Sequence, residues 1–293
     1  MSITLAHDQY GKGGVRLVKV TRHTGRHEVA DITVAIRFEG AFEAAYTQGD
    51  NRRVLPTDTM KNTVYVLARD HPFTTLEAFG LTLAEHFLQG NEHLSSVGVD
   101  LIQRLWYGIY VADEDGGTDE DETVFRPHPH AFMRDGREQR TCAVQQTRTA
   151  LRVGAGLRDL HLLKTAQSGF SHFLHDALTT LQDADDRLLG TDLSATWQYA
   201  GAGVDFAACL YAVRQALLET FARHDSLSVQ HTLYAMGRAA LEACPDVTEI
   251  HLAMPNKHRL PVDLTAFGRD NPNTVFVSID EPFGVIEATL RRA

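Results

Sequence analysis

The run ITVAIRF, residues 32–38, decides the fold class. Ile32, Val34, Ile36 and Phe38 fall on one side of an extended chain, and Thr33, Ala35 and Arg37 on the other. That period of two marks a strand with one buried face. Upstream, VRLVKV (15–20) is rich in β-branched residues, and Gly25 lies between the two runs, so together they predict a hairpin. Downstream the period changes. Thr74-x-x-Glu77 has the pattern of a capping box, and Leu76, Phe79, Leu83 and Phe87 follow at helical spacing until Gly90 closes the helix. Strand character returns at 97–111 and at 139–146.

The second half repeats that order less clearly. Residues 150–164 read as strand, 171–183 as helix and 194–200 as strand. Phe206, Leu210, Val213, Leu217 and Phe221 then make an amphipathic helix, and a second helix runs over 227–243. Strands at 247–254 and 274–279 close the chain. Each half carries strands, then helices, then strands. The reading is α+β: two copies of one unit, residues 1–147 and 148–293.

The 293 residues suffice for one large or two ordinary domains with a sizeable core. A net charge of −10 argues against a general nucleic-acid binder, which needs a basic footprint. It leaves a small anionic substrate open, because a local cationic pocket can sit on an acidic protein. No apolar run approaches the ~20 residues of a membrane span, and no secretion signal opens the chain. Cys142, Cys209 and Cys244 lack C-x-x-C spacing and predict free thiols in a reducing interior, hence a cytoplasmic protein.

Most motif readings fail. GAG at 154–156 and 201–203 lacks the third glycine of a dinucleotide loop, and there is no Walker lysine motif or G-x-S-x-G elbow. His128 with His130, and His172 with His175 on the expected helix, offer two metal ligands each where zinc enzymes usually supply three. The acidic run 113–122 (DEDGGTDEDE) has the wrong spacing for a calcium loop and reads as a solvated hairpin tip.

Four polar segments remain: Tyr10-Gly11-Lys12 before the first strand, Thr57-Asp58-Thr59 at a helix start, Ser228-Val229-Gln230 at another, and Pro255-Asn256-Lys257-His258 after a strand. Each alone has an ordinary explanation. Lys12 can be a surface lysine, Thr57 or Asp58 an N-cap, Gln230 an exposed first-turn residue, and Asn256 a turn.

Together with HPHAFMR (128–134), LKTAQSGF (163–170), DRLL (186–189) with TDLSATWQY (191–199), and SVQHTLY (228–234), these segments resemble the cofactor-free urate oxidases, in order and over nearly the whole chain. The resemblance implies tandem tunnelling-fold repeats, antiparallel sheets with helices on one face, and a homotetramer with active sites between subunits. It implies oxidation of urate by O2 and water to 5-hydroxyisourate and hydrogen peroxide, with no metal and no organic cofactor. Arg187 and Gln230 would grip one edge of urate, helped by the Val229 backbone N–H, and Phe170 would stack on the ring. Thr57 and the Asp58 N–H would meet the five-membered edge. Lys12, Thr57 and His258 would carry the proton chemistry, and Asn256 would hold oxygen and then water. Two competing readings are a metal-dependent purine or pterin hydrolase on the same fold, using His128 and His130, and a non-catalytic purine-binding protein.

Overall fold

The computed structural model describes residues 3–112 and 124–292. The acidic run at 113–122 lies outside the described residues. The chain divides into two compact units, residues 1–153 and 154–293.

In the first unit, β1 (Tyr10–His23) and β2 (Arg26–Gly40) form the expected hairpin, with His23 opposite Arg26. Ile32, Val34, Ile36 and Phe38 are all buried, as their alternation requires. A six-residue helix, α1 (Glu43–Gln48), precedes α2 (Thr57–Asp70) and α3 (Leu76–Gly90). Then come β3 (Leu94–Arg104), β4 (Tyr107–Ala112), β5 (Phe125–Met133) and β6 (Gln139–Thr147). β1, β2, β3 and β6 pair side by side, all antiparallel, and β4 pairs with β5 apart from them. The stretch expected as one strand over 97–111 is thus two strands in different sheets. Trp106, between them, turns its indole N–H onto Asp31 at 3.3 Å.

The second unit begins within β7 (Leu151–Lys164) and continues with β8 (Leu189–Tyr199), α4 (Phe206–Arg223) and α5 (Val229–Ala243). β9 (Val247–Ala253), β10 (Asn256–Pro261), β11 (Phe276–Gly284) and β12 (Glu287–Arg291) complete it. β7, β8, β9 and β12 pair antiparallel in that order, while β10 meets β8 near Gly190 and pairs with β11.

The units share their devices. In each, a strand lysine closes the C-terminus of the first long helix. Lys19 Nζ donates to the carbonyls of Ala68 (2.6 Å) and His71 (3.0 Å), and Lys164 Nζ to those of Phe221 (3.4 Å), Ala222 (3.3 Å) and His224. An arginine closes the second: Arg148 donates to Leu88 and Asn91 carbonyls, Arg292 to those of Leu241, Cys244 and Val247. A cation at a helix C-terminus satisfies orphan carbonyls and opposes the dipole. In each unit the second helix also carries a glycine against the sheet. A Cβ would lie 2.8 Å from Val144 at Gly80 and 2.8 Å from Leu290 at Gly237. Lys164→Met should cost about 1–2 kcal/mol, since Lys164 is buried and its carbonyls lose their donor. A thermal melt no lower than wild type would remove the cap from the account.

Three expectations give way. Residues 171–183 are not helical, although Leu174, Leu178 and Leu181 have helical spacing. Leu174 and Leu178, which a helix would turn to the core, are 92% and 88% exposed. Asp176 instead draws the Leu178 N–H (2.9 Å) and the Thr179 hydroxyl (2.9 Å) into a local turn, a habit of short polar side chains. The capping residue of α3 is Thr75, not Thr74; its hydroxyl accepts from the Ala78 N–H at 3.2 Å. Gly90 is the last residue of α3 rather than a left-handed stop, and Asn91 beyond it is extended.

Asp31 is buried beneath Arg16, whose guanidinium donates to both carboxylate oxygens (3.2 and 3.0 Å), with Arg104 at 3.8 Å. Burial pushes the carboxyl up, but Arg16, Trp106 and Arg104 outweigh it and hold Asp31 below the ordinary value. A depressed folded pKa contributes stability above the unfolded value of about 4 and loses it as pH falls through the folded one. Asp31→Asn should therefore be less stable at pH 7 yet show a shallower fall in melting temperature between about pH 5 and pH 3. Parallel pH curves for the two proteins would refute this.

Candidate functional site

Six of the nine predicted site residues line one cavity of about 500 Å³ in the second unit: Phe170, Arg187, Val229, Gln230, Asn256 and His258. They come from three places in the chain, and backbone bonds bring them together. The Phe170 N–H donates to the Ala184 carbonyl at 2.7 Å and the Ala184 N–H returns the bond at 3.0 Å. The Gly169 N–H donates to Ser226 (2.8 Å), the Ser226 N–H to Gln167 (2.9 Å) and the Arg187 N–H to Ser168 (2.7 Å). The loop between β7 and β8 is thus laced to itself and to the start of α5.

That lacing stacks the Arg187 guanidinium over the Phe170 ring, 5.1 Å from its centroid. Arg187 is half-buried, and its Nε is shut from solvent with no hydrogen-bond partner among the described residues. Burial lowers its pKa, though a guanidinium stays charged at any ordinary pH. A buried charged donor left unpaired is costly, and here it borders a cavity. The planar fork suits an acceptor-bearing planar anion bound in a bidentate way.

α5 starts beside it. Ser228 caps the helix by accepting from the His231 N–H at 3.1 Å. The N–H groups of Val229 and Gln230, in the first turn, lie beyond that cap and point to the end that favours negative charge. Asn256 and His258 open β10. The chain does not turn at Asn256, as one sequence reading has it, but enters a strand opposite Gly284.

Lys12, Thr57 and Asp58 belong to the first unit. Tyr10, Gly11 and Lys12 lie inside β1 rather than ahead of it, and the register slips between Lys12 and Val15. Gly13 and Gly14 form that bulge, with Gly14 at φ +69°, a conformation that favours glycine. Neither Thr57 nor Asp58 is an N-cap. Pro56 holds that position and its ring carries no acceptor, so no side chain caps the first-turn N–H groups of α2. The Asp58 carboxylate folds back onto Lys61 and onto Asn62 Nδ2 at 3.0 Å, leaving its backbone N–H for a ligand. Lys61 first, and Lys12 more weakly, hold that carboxyl below its ordinary value. Lys12 is therefore within electrostatic reach of the start of α2.

The cavity also takes Leu181, Gln182, Arg259 and Phe276, which sequence reasoning passed over. The expected helix over 171–183 hid Leu181 and Gln182. Arg259 follows His258 on β10, where strand alternation would select Leu260 instead, and the cavity takes both. His128 and His130 stand on β5 with ring centroids 4.4 Å apart. Among the described residues, no three His, Cys, Asp or Glu side chains are placed to hold a metal ion together.

An arginine fork, a stacking aromatic ring and the start of α5 around one cavity suit a planar, hydrogen-bonding anion. Comparison with known proteins makes the assignment specific. The family model for uricase matches residues 8–145 and 153–287. A uricase of Arthrobacter globiformis is 44% identical over 290 residues, covering 99% of this chain and 90% of the relative. A uricase of Dictyostelium discoideum is 34% identical over 293 residues, covering 99% and 98%. The crystal structure of the Arthrobacter globiformis uricase matches with a TM-score of 0.89 at 43% identity, covering 100% of this chain and 96% of that one. The chain belongs to the uricase family.

Proposed function

We infer that the protein is a urate oxidase, converting urate, O2 and water to 5-hydroxyisourate and hydrogen peroxide. The observation that carries this is the unpaired, buried Arg187 Nε beside the Phe170 ring, in a cavity shared with Gln230, Asn256 and His258. Arg187 and Gln230 pair with the alternating carbonyl and N–H edge of the purine, with the Val229 N–H beside them. Thr57 and the Asp58 N–H hold the five-membered edge.

Deprotonated urate is electron-rich enough to give two electrons to O2 itself, and the oxidised ring then takes up water. The protein's work is to remove protons, orient the ring and exclude competing solvent. Lys12 draws a proton through the Thr57 hydroxyl, and His258 passes it on. Asn256 holds O2 and later the attacking water over the ring. Neither a metal nor an organic cofactor enters this scheme.

The functional unit is a homotetramer in which the first unit of one protomer completes the site in the second unit of a neighbour. Leu174 and Leu178, bare in the single chain, are surfaces that another copy would cover. Three buried free thiols suit a reducing cytoplasm. No helix among the described residues is long and apolar enough to cross a membrane.

Oxygen uptake and peroxide release should follow urate addition in the presence of a chelator, one peroxide per oxygen consumed. Chelator-sensitive consumption of the purine with no oxygen uptake would favour the metal-dependent hydrolase instead. Urate binding without oxygen uptake would favour the purine-binding protein.

A further inference from the structure

We propose that Asp192 and Lys257 form a positioning pair for the reaction, fixing the backbone of β10 so that Asn256 and His258 meet the substrate together. The proposal rests on the urate oxidase reading above. Asn256 and His258 are separated by one residue, Lys257. Against β11 the register slips between Asn256 and His258. Against β8, β10 makes a single register pair, Lys257 opposite Gly190. Backbone pairing alone therefore defines this strand start weakly.

Side chains supply what the ladder lacks. Lys257 Nζ pairs with Asp192 Oδ2, and each of these side chains is only 20% exposed. Asp192 lies two residues along β8 from Gly190, hence on the same face and diagonal to Lys257. His161 on β7 stands directly opposite Asp192 in register, with Nδ1 close against the other carboxylate oxygen, which makes no hydrogen bond among the described residues. The carboxylate is thus paired with β10 through Lys257 and packed against β7 on its other side. Gly190 allows the close approach, since a Cβ there would lie 3.2 Å from the Lys257 carbonyl oxygen.

Strand alternation turns this into a lever. With the Lys257 side chain held on one face, Asn256 and His258 are directed to the other, where both line the cavity with Arg187 and Phe170. A rotation of the chain at Lys257 displaces both residues at once. Proton relay and oxygen placement are sensitive to such shifts, and a misplacement of about 1 Å can cost a hundredfold in rate. Urate binding, carried by Arg187, Gln230 and Phe170, is insulated from the same motion.

The test compares Asp192→Asn, Lys257→Met, their double variant and Lys257→Arg in the assembled enzyme. The readouts are oxygen uptake at saturating urate, KM, and affinity for xanthine, a purine dione that lacks the 8-oxo group of urate. Each single variant should lose roughly tenfold to a hundredfold in kcat, with KM and xanthine affinity within about threefold of wild type. The double should be no worse than the poorer single, and Lys257→Arg should regain most of the rate. Unchanged kcat in either single variant, or losses that multiply in the double, would overturn the pairing. So would parallel loss of kcat and xanthine affinity that Lys257→Arg does not relieve. Asp192→Asn is isosteric and carries the test if Lys257→Met does not fold. A wild-type enzyme that consumes no oxygen overturns the parent reading instead, before any variant is compared.

Discussion

In Arg187→Ala, KM for urate should rise roughly a hundredfold while the ligand-free protein melts within a few degrees of wild type or slightly above it. The two halves of this expectation have one cause. Two parallel charge-assisted bonds from a guanidinium to a planar anion, at about 1.5 kcal/mol each, sum to about 3 kcal/mol, or two orders of magnitude in affinity. The Arg187 Nε is buried with no hydrogen-bond partner among the described residues, a burden of about 1–3 kcal/mol. Alanine relieves it but forfeits the contact with Phe170, worth about 0.5–1 kcal/mol. In the proposed role the same contacts would be made before and during reaction, so kcat should change much less than KM. Arg187→Lys should recover charge but not the fork, and leave most of the defect. Steady-state kinetics and a melting curve decide it. A large drop in melting temperature would recast Arg187 as structural, and an unchanged KM would remove it from the site.

Much of the fold was legible because one sheet face is buried. The alternation at 32–38 and the helical spacing at 76–87 and 206–221 each report burial against a single neighbour, and that neighbour exists. Where burial is missing, the same periodicity misled. Leu174, Leu178 and Leu181 have helical spacing, but Leu174 and Leu178 are left exposed, and local bonds to Asp176 decide the conformation. β10 and β12 were missed for a related reason. KHRLP (257–261) is half-exposed and polar, so its pairing with β11 left no hydrophobic signature. The site divides the same way. Its residue types could be named from short motifs by resemblance, yet nothing in the sequence announces that Phe170 and Arg187 meet. That contact is made by the backbone bonds joining Phe170 to Ala184 and Arg187 to Ser168, a tertiary fact with no side-chain pattern. The helix-closing lysines were invisible as well, because Lys19 and Lys164 look like any strand lysine until a helix end arrives above them.

Lys12→Met should abolish most turnover, by roughly 10²–10⁴, while xanthine binds within a few fold of wild type. Methionine keeps the unbranched stem and removes only the amine, so the change isolates proton chemistry from packing. Lys12 occupies a constructed position: half-buried on β1, next to the Gly13–Gly14 bulge, with its charge felt at Asp58 in the first turn of α2. In the proposed site the uncapped N–H groups there would hold an anion whether or not the amine is present, which is why affinity should survive. Thr57→Val supplies the second half of the argument. It deletes the hydroxyl through which the amine would act and keeps the shape at the helix start. If amine and hydroxyl work as one relay, the double variant loses no more than Lys12→Met alone, because the second deletion removes a link in a chain already cut. If their losses multiply, the two groups act independently and the relay is wrong. If Lys12→Met turns over urate at the wild-type rate, the base lies elsewhere in the site.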